Sequence, residues 1–140
     1  MADIIKLEYK VDGTNLITAG EASASVKKAL RQLGVDPEII RKVAIAMYEG
    51  EINMVIHANG GDAFVEIMPD KVKTTLIDNG PGIADIALAM KEGYSTAGEE
   101  ARQLGFGAGM GLPNMKNYTD EMSVTSELGK GTTVEMIVNI

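Results

Sequence analysis

The stretch LGFGAGMGL, Leu104 to Leu112, sets glycine at every second position: Gly105, Gly107, Gly109 and Gly111. Two well-known nucleotide-binding templates can be tested against it by spacing alone. The dinucleotide fingerprint G-x-G-x-x-G fails, because its last glycine falls on Met110 when counted from Gly105 and on Leu112 when counted from Gly107. The phosphate loop G-x-x-x-x-G-K-[ST] also fails. Gly129-Lys130 is followed by Gly131, and Val124 stands where the first glycine belongs. Two readings remain. The run is either a bare hinge or a set of free backbone amides leading into a helix that starts near Gly111 or Leu112, a setting that favours an anion.

The rest of the chain narrows the choice. At 140 residues it fits one domain, and 45% hydrophobic with 24% charged residues is ordinary for a globular protein. A net charge of −7 opposes tight nucleic-acid binding, which depends on Lys and Arg neutralising phosphates. A small anion held by a local nest of amides stays compatible with that charge. Cysteine is absent, which removes disulfides and thiolate metal sites, and the single His57 cannot build a histidine cluster. No apolar run is long enough to span a bilayer. The opening MADIIKLEYKVDG lacks the order of a secretory signal, so a cytoplasmic protein is expected. Of 16 glycines, ten lie from Gly80 to Gly131, which marks the C-terminal half as specialised.

Periodicity gives the elements. Ile4 to Val11 alternates as a half-buried strand, and TNLITAGEASASVKKALRQLG has helical spacing with a stop at Gly34. Asp36-Pro37-Glu38 combines a capping acid, a first-turn proline and a second acid, and predicts a helix running to about Ala58. Asn59-Gly60-Gly61-Asp62 is expected to break it. AFVEIMP and VKTTLID form a hairpin around Asp70-Lys71. ADIALAMKEG predicts a short helix, LPNMKNYTDE another, and MSVTSEL with TTVEMIVNI a closing hairpin. Strands that come mainly as hairpins imply an α+β two-layer sandwich, with a mixed, mostly antiparallel sheet and helices on one face.

The long helix carries polar groups in an apolar setting. Ile39, Val43, Ala46, Gly50 and Met54 form one stripe, with Asn53 within roughly 40° of its centre and Glu49 within roughly 80°. Glu49 and Asn53 stand at i and i+4, so their side chains meet along one edge, and His57 continues the line as a packing residue. The pair is either an edge-exposed polar couple or the wall of a pocket, with Glu49 handling a proton and Asn53 offering its carbonyl oxygen to Mg²⁺. In LIDNGPGI, Asp78 ends an apolar strand and is followed by Asn79-Gly80-Pro81-Gly82. That is a turn sequence. It also suits an acid that accepts a hydrogen bond from an amine such as that of adenine.

EGEIN with VIHA on a helix, DNGPGI after a strand, GFGAGMGL before a helix and GKGTTVEM near the end occur in order. Together they resemble the GHKL or Bergerat-fold ATP-binding domain shared by DNA gyrase, histidine kinases and MutL, over about residues 36 to 140. Within it, GYST followed by GAGMGLPNMKNYTDEMSVTSELGKGTTV is similar to the anti-sigma-factor serine/threonine kinases, and most like the stressosome switch kinases. The resemblance implies one ATP-binding domain over residues 1–140 with a lid at about 84–111. It implies that Asn53 chelates Mg²⁺, that Glu49 is the base or orients the nucleophile, and that Asp78 contacts adenine. Gly80, Gly82 and Ile83 would shape the base pocket with Thr132 nearby. Gly105, Gly107, Gly109, Met110, Gly111 and Leu112 would close the lid on the phosphates.

The implied activity is ATP- and Mg²⁺-dependent phosphorylation of a STAS-domain antagonist or stressosome protein, with a sigma factor or phosphatase as a further partner and a homodimer as one assembly. A nucleotide-dependent binding module without chemistry is the alternative. A detached histidine-kinase catalytic domain is a third reading, disfavoured because no adjoining phosphoacceptor segment is seen. AGEEARQLGF makes the lid longer than the resemblance leads one to expect. It carries Arg102, either a γ-phosphate contact or a solvated lid residue.

Overall fold

Asp36 does what its position before Pro37 predicts: its Oδ1 accepts the Glu38 backbone N–H at 2.8 Å. This caps the first turn of the long helix. In a computed structural model, residues 4–13, 19–58, 60–80, 82 and 111–140 are described. They form β1 (Ile5–Asp12), α1 (Glu21–Gln32), α2 (Pro37–Ala58), β2 (Gly60–Ile67), β3 (Lys71–Asp78), α3 (Gly111–Asn117), β4 (Glu121–Glu127) and β5 (Gly131–Asn139). The expected short helix of residues 84–93 lies outside the described residues.

The five strands make one sheet in the order β1-β2-β3-β5-β4, and each pairing is antiparallel. This fits the mostly antiparallel sheet expected from successive hairpins. β5 enters between β3 and β4, so the starts of β5 and the end of β3 lie side by side. Alternation sorts the strands into two faces. Ala63, Val65, Val72, Leu76, Val134, Met136 and Val138 are buried against the helices. On the other face run polar pairs such as Lys10 with Asp62 and Lys73 with Glu135.

Val26 and Leu30 of α1, Val43 and Met47 of α2, and Met115 of α3 fill the layer above the sheet, all at 2% exposure or less. Each such side chain contributes about 1.5–3 kcal/mol of burial. Gly50 sets how closely α2 can lie. A β-carbon there would overlap Leu76 Cδ1 of β3 and approach Met115 Sδ of α3 to 3.2 Å.

Several boundaries differ from the periodicity reading: α1 starts at Glu21, after Gly20 in a left-handed conformation, and α3 stops at Asn117, with Glu121 already in β4. Asn59-Gly60-Gly61-Asp62 ends α2, yet β2 already starts at Gly60, pairing with Asp12, and Gly61 pairs with both Val11 and Asp78. A side chain at Gly61 would run into Met54 Cε at 2.7 Å, so glycine lets the strand start directly beneath the helix it follows. The β2–β3 turn lies slightly earlier than Asp70-Lys71. The Met68 N–H bonds the Lys71 carbonyl at 2.9 Å, and Lys71 is the first residue of β3.

Candidate functional site

Asp78, Gly80 and Thr132 come together where the end of β3 meets the start of β5, beside Ala58 at the end of α2. Asp78 is half-buried at the last position of β3. Its Oδ1 accepts two backbone N–H groups, from Gly80 at 3.0 Å and from Thr132 at 3.1 Å. One carboxylate oxygen is thereby fixed by the backbone, which orients the other. The turn that follows is pressed against α2: a β-carbon at Gly80 would stand 2.5 Å from the Ala58 Cβ. Gly82 has φ 81° and would clash with the Glu127 carbonyl at 2.6 Å, while Gly131 has φ 130° and would overlap the Asp78 carbonyl. Both are left-handed backbones that favour glycine. The turn after β3 and the β4–β5 turn thus interlock around Asp78. This is the physical reason the DNGPG and GKGTT motifs occur together.

Glu49 and Asn53 lie one turn apart on α2, both half-buried. Burial pushes the Glu49 carboxyl up from its usual range, while a hydrogen bond from Asn114 pulls the other way. That bond runs from Asn114 Nδ2 to Glu49 Oε1 at 3.4 Å. It links α2 to α3, the helix that starts at Gly111 where the glycine run ends. Leu112 is 7% exposed and packs in the core, so its side chain anchors α3. Thr132 is buried at 9% exposure, with its hydroxyl 2.9 Å from that of Ser126.

The most buried acid of α2 is not Glu49 but Glu51, at 2% exposure. Its Oε2 accepts the N–H groups of Gly20 at 2.7 Å and Ala22 at 3.1 Å, and its Oε1 accepts that of Ser23 at 3.0 Å. It therefore caps α1, whose own N-cap is Gly20 and has no side chain to offer. Periodicity could flag a carboxylate in an apolar helix but could not tell that Glu51 faces the start of α1 and Glu49 the Asn114 side chain of α3. Asn114 and Ser126 were missed as well, because both act through partners distant in sequence.

Ile83, Arg102, Gly105, Gly107, Gly109 and Met110, nearly all of the lid expected at about 84–111 and the His57 side chain lie outside the described residues. Among the described residues no group of three or more His, Asp or Glu side chains could hold a metal. No helix is long and apolar enough to cross a membrane.

Comparison with known proteins agrees with this architecture. A family described as the histidine kinase-like ATPase domain matches residues 14–138. The chain is 32% identical over 127 residues to the serine/threonine-protein kinase RsbT of Bacillus subtilis, covering 88% of this chain and 87% of that one. It is 36% identical over 109 residues to the anti-sigma F factor of Caldanaerobacter subterraneus, covering 73% of each. The RsbU and RsbW domains of a Mycobacterium tuberculosis protein share the fold, with a TM-score of 0.62 at 17% identity, over 96% of this chain and 32% of theirs. The chain belongs to the histidine kinase-like ATPase family, and ATP use goes with that membership.

Proposed function

We propose that this member of the histidine kinase-like ATPase family is a protein serine/threonine kinase. In this reading it phosphorylates a STAS-domain antagonist and thereby switches the partner of a sigma factor or a stressosome protein. The observation that carries the proposal is the placing of Glu49. It is a half-buried carboxylate with its proton affinity raised by burial, one turn from Asn53 on α2, the helix whose last residue, Ala58, packs against Gly80 beside Asp78.

Each residue then has a task. Asp78, with Oδ1 held by two backbone N–H groups, keeps Oδ2 for the amino group of adenine. Gly80 and Gly82 let backbone close around the flat ring, and Ile83 covers it. The amides of Gly105 to Gly111 wrap the phosphates, with Arg102 as a contact for the γ-phosphate. Glu49 accepts the proton of the substrate serine or threonine as its oxygen attacks the γ-phosphorus. The bond from that phosphorus to the β,γ-bridging oxygen breaks, and ADP leaves with the electron pair.

The donor set suits Mg²⁺ carried by a nucleotide. Asn53 offers a neutral, hard oxygen, and no cluster of carboxylates competes among the described residues. Such an ion takes most of its ligands from phosphate and water. When bound, it would supply charge neutralisation on the phosphates, with Asn53 as its protein ligand.

The test separates binding from chemistry. Glu49→Gln should bind ATP as the parent protein does and lose at least about a hundredfold in transfer to a STAS-domain protein, within the usual range for a general base. Equal transfer by the variant would remove Glu49 from the reaction.

A further inference from the structure

Opposite Thr132, on the edge strand β4, stands Ser126. Its Oγ lies 3.1 Å from the Gly131 carbonyl oxygen and 2.9 Å from Thr132 Oγ1. A carbonyl can only accept, so the proton in the first contact must come from Ser126. A serine hydroxyl has one proton to give. The proton in the second contact therefore comes from Thr132. The opposite assignment would leave Ser126 Oγ and the Gly131 oxygen facing each other at 3.1 Å with nothing between them.

The consequence falls on the pocket. Thr132 shares the face of Asp78, whose Oδ1 takes the Thr132 backbone N–H. With its hydroxyl proton committed to Ser126, Thr132 has only lone pairs left for a ligand. Asp78 likewise presents an acceptor. Two acceptors side by side match an exocyclic amine with its N–H donors and oppose a carbonyl at the same place on the ring.

We propose that Ser126 is a positioning residue for base specificity: by holding the Thr132 hydroxyl as an acceptor, it favours a 6-amino purine over a 6-oxo purine. This rests on the reading of Asp78 and Thr132 as the base pocket. Ser126 itself touches no nucleotide. Its effect is to deny Thr132 the rotation that would turn its proton toward a 6-oxo group.

The experiment compares ATP with inosine triphosphate, which carries a 6-oxo group and an N1–H where ATP has a 6-amino group and a bare N1, by calorimetric titration of the full chain and its Ser126 variants. The parent should prefer ATP. Ser126→Ala should keep ATP affinity within about threefold but lose about tenfold of the preference, the worth of one hydrogen bond. Ser126→Thr, which restores a hydroxyl, should recover it. A merely structural role would lower both affinities together and leave their ratio alone. Ser126→Val suits a strand better than alanine and carries the same expectation if Ser126→Ala fails to fold. A folded Ser126→Ala or Ser126→Val protein with the parent's preference overturns the proposal. If the parent itself binds neither nucleotide, or both equally, the base-pocket reading fails first and the role of Ser126 fails with it.

Discussion

Asn114 donates its side-chain amide to Glu49 Oε1 at 3.4 Å, across the gap between α3 and α2. The two residues are 65 positions apart in sequence. The bond favours the charged carboxylate while burial opposes it, and burial is the larger effect.

Removing that amide should move the reaction's pH dependence. If Glu49 is the base, as proposed, transfer should fall as pH drops through the range where its carboxyl takes up a proton. Asn114→Ala deletes the contact that lowers this value, so the acid limb should shift to higher pH while the plateau rate changes little. A rate profile from pH 4 to 8 reads this directly, and an unmoved limb would detach Asn114 from Glu49.

Glu49 should cost stability at the pH where it works. Its folded-state value is raised by burial, so the folded protein binds the proton more tightly than the unfolded chain. Stability then decreases as pH rises through the interval between the ordinary and the raised values. Glu49→Gln should accordingly melt higher than the parent at pH 8, with the difference narrowing toward pH 4. Parallel melting curves across that range would argue against a desolvated carboxylate.

Glu51 should act as a structural acid, through the backbone N–H groups it accepts. Replacing it with alanine leaves the N–H groups of Gly20, Ala22 and Ser23 without their acceptor. The expected loss is about 2–4 kcal/mol in denaturant unfolding, given a buried charged acceptor and a lost helix cap. Glu51→Gln keeps one acceptor oxygen and should lose less.

Gly50→Ala tests the approach of α2 to the sheet. The added methyl would meet Leu76 and Met115 in a filled core, and about 1–3 kcal/mol of destabilisation is expected. An unchanged unfolding midpoint would mean that the layers can separate freely.

Much of this was legible in the sequence, for local reasons. Asp36-Pro37-Glu38 located the start of α2 because a cap, its proline and its acid are neighbours in the chain. Asp78 was legible because a strand-ending acid before Asn-Gly is itself a local pattern. The start of β2 was not, since Gly60 and Gly61 read as a break unless Val11, Met54 and Asp78 are known to crowd them. The roles of Glu51, Asn114 and Ser126 depend on which groups face them across the fold. Glu49 and Glu51 illustrate the limit: two residues apart on one helix, they face different partners, and periodicity treated only the first as noteworthy.

The central claim is phosphoryl transfer to a hydroxyl side chain. Its most direct test is to incubate the protein with γ-labelled ATP, Mg²⁺ and a panel of STAS-domain proteins, then identify the labelled amino acid. The account expects acid-stable label on serine or threonine of at least one of them, sharply reduced by Glu49→Gln and by Asp78→Asn. Acid-labile label on histidine, or no transfer to any STAS-domain protein while ATP is bound, would contradict it.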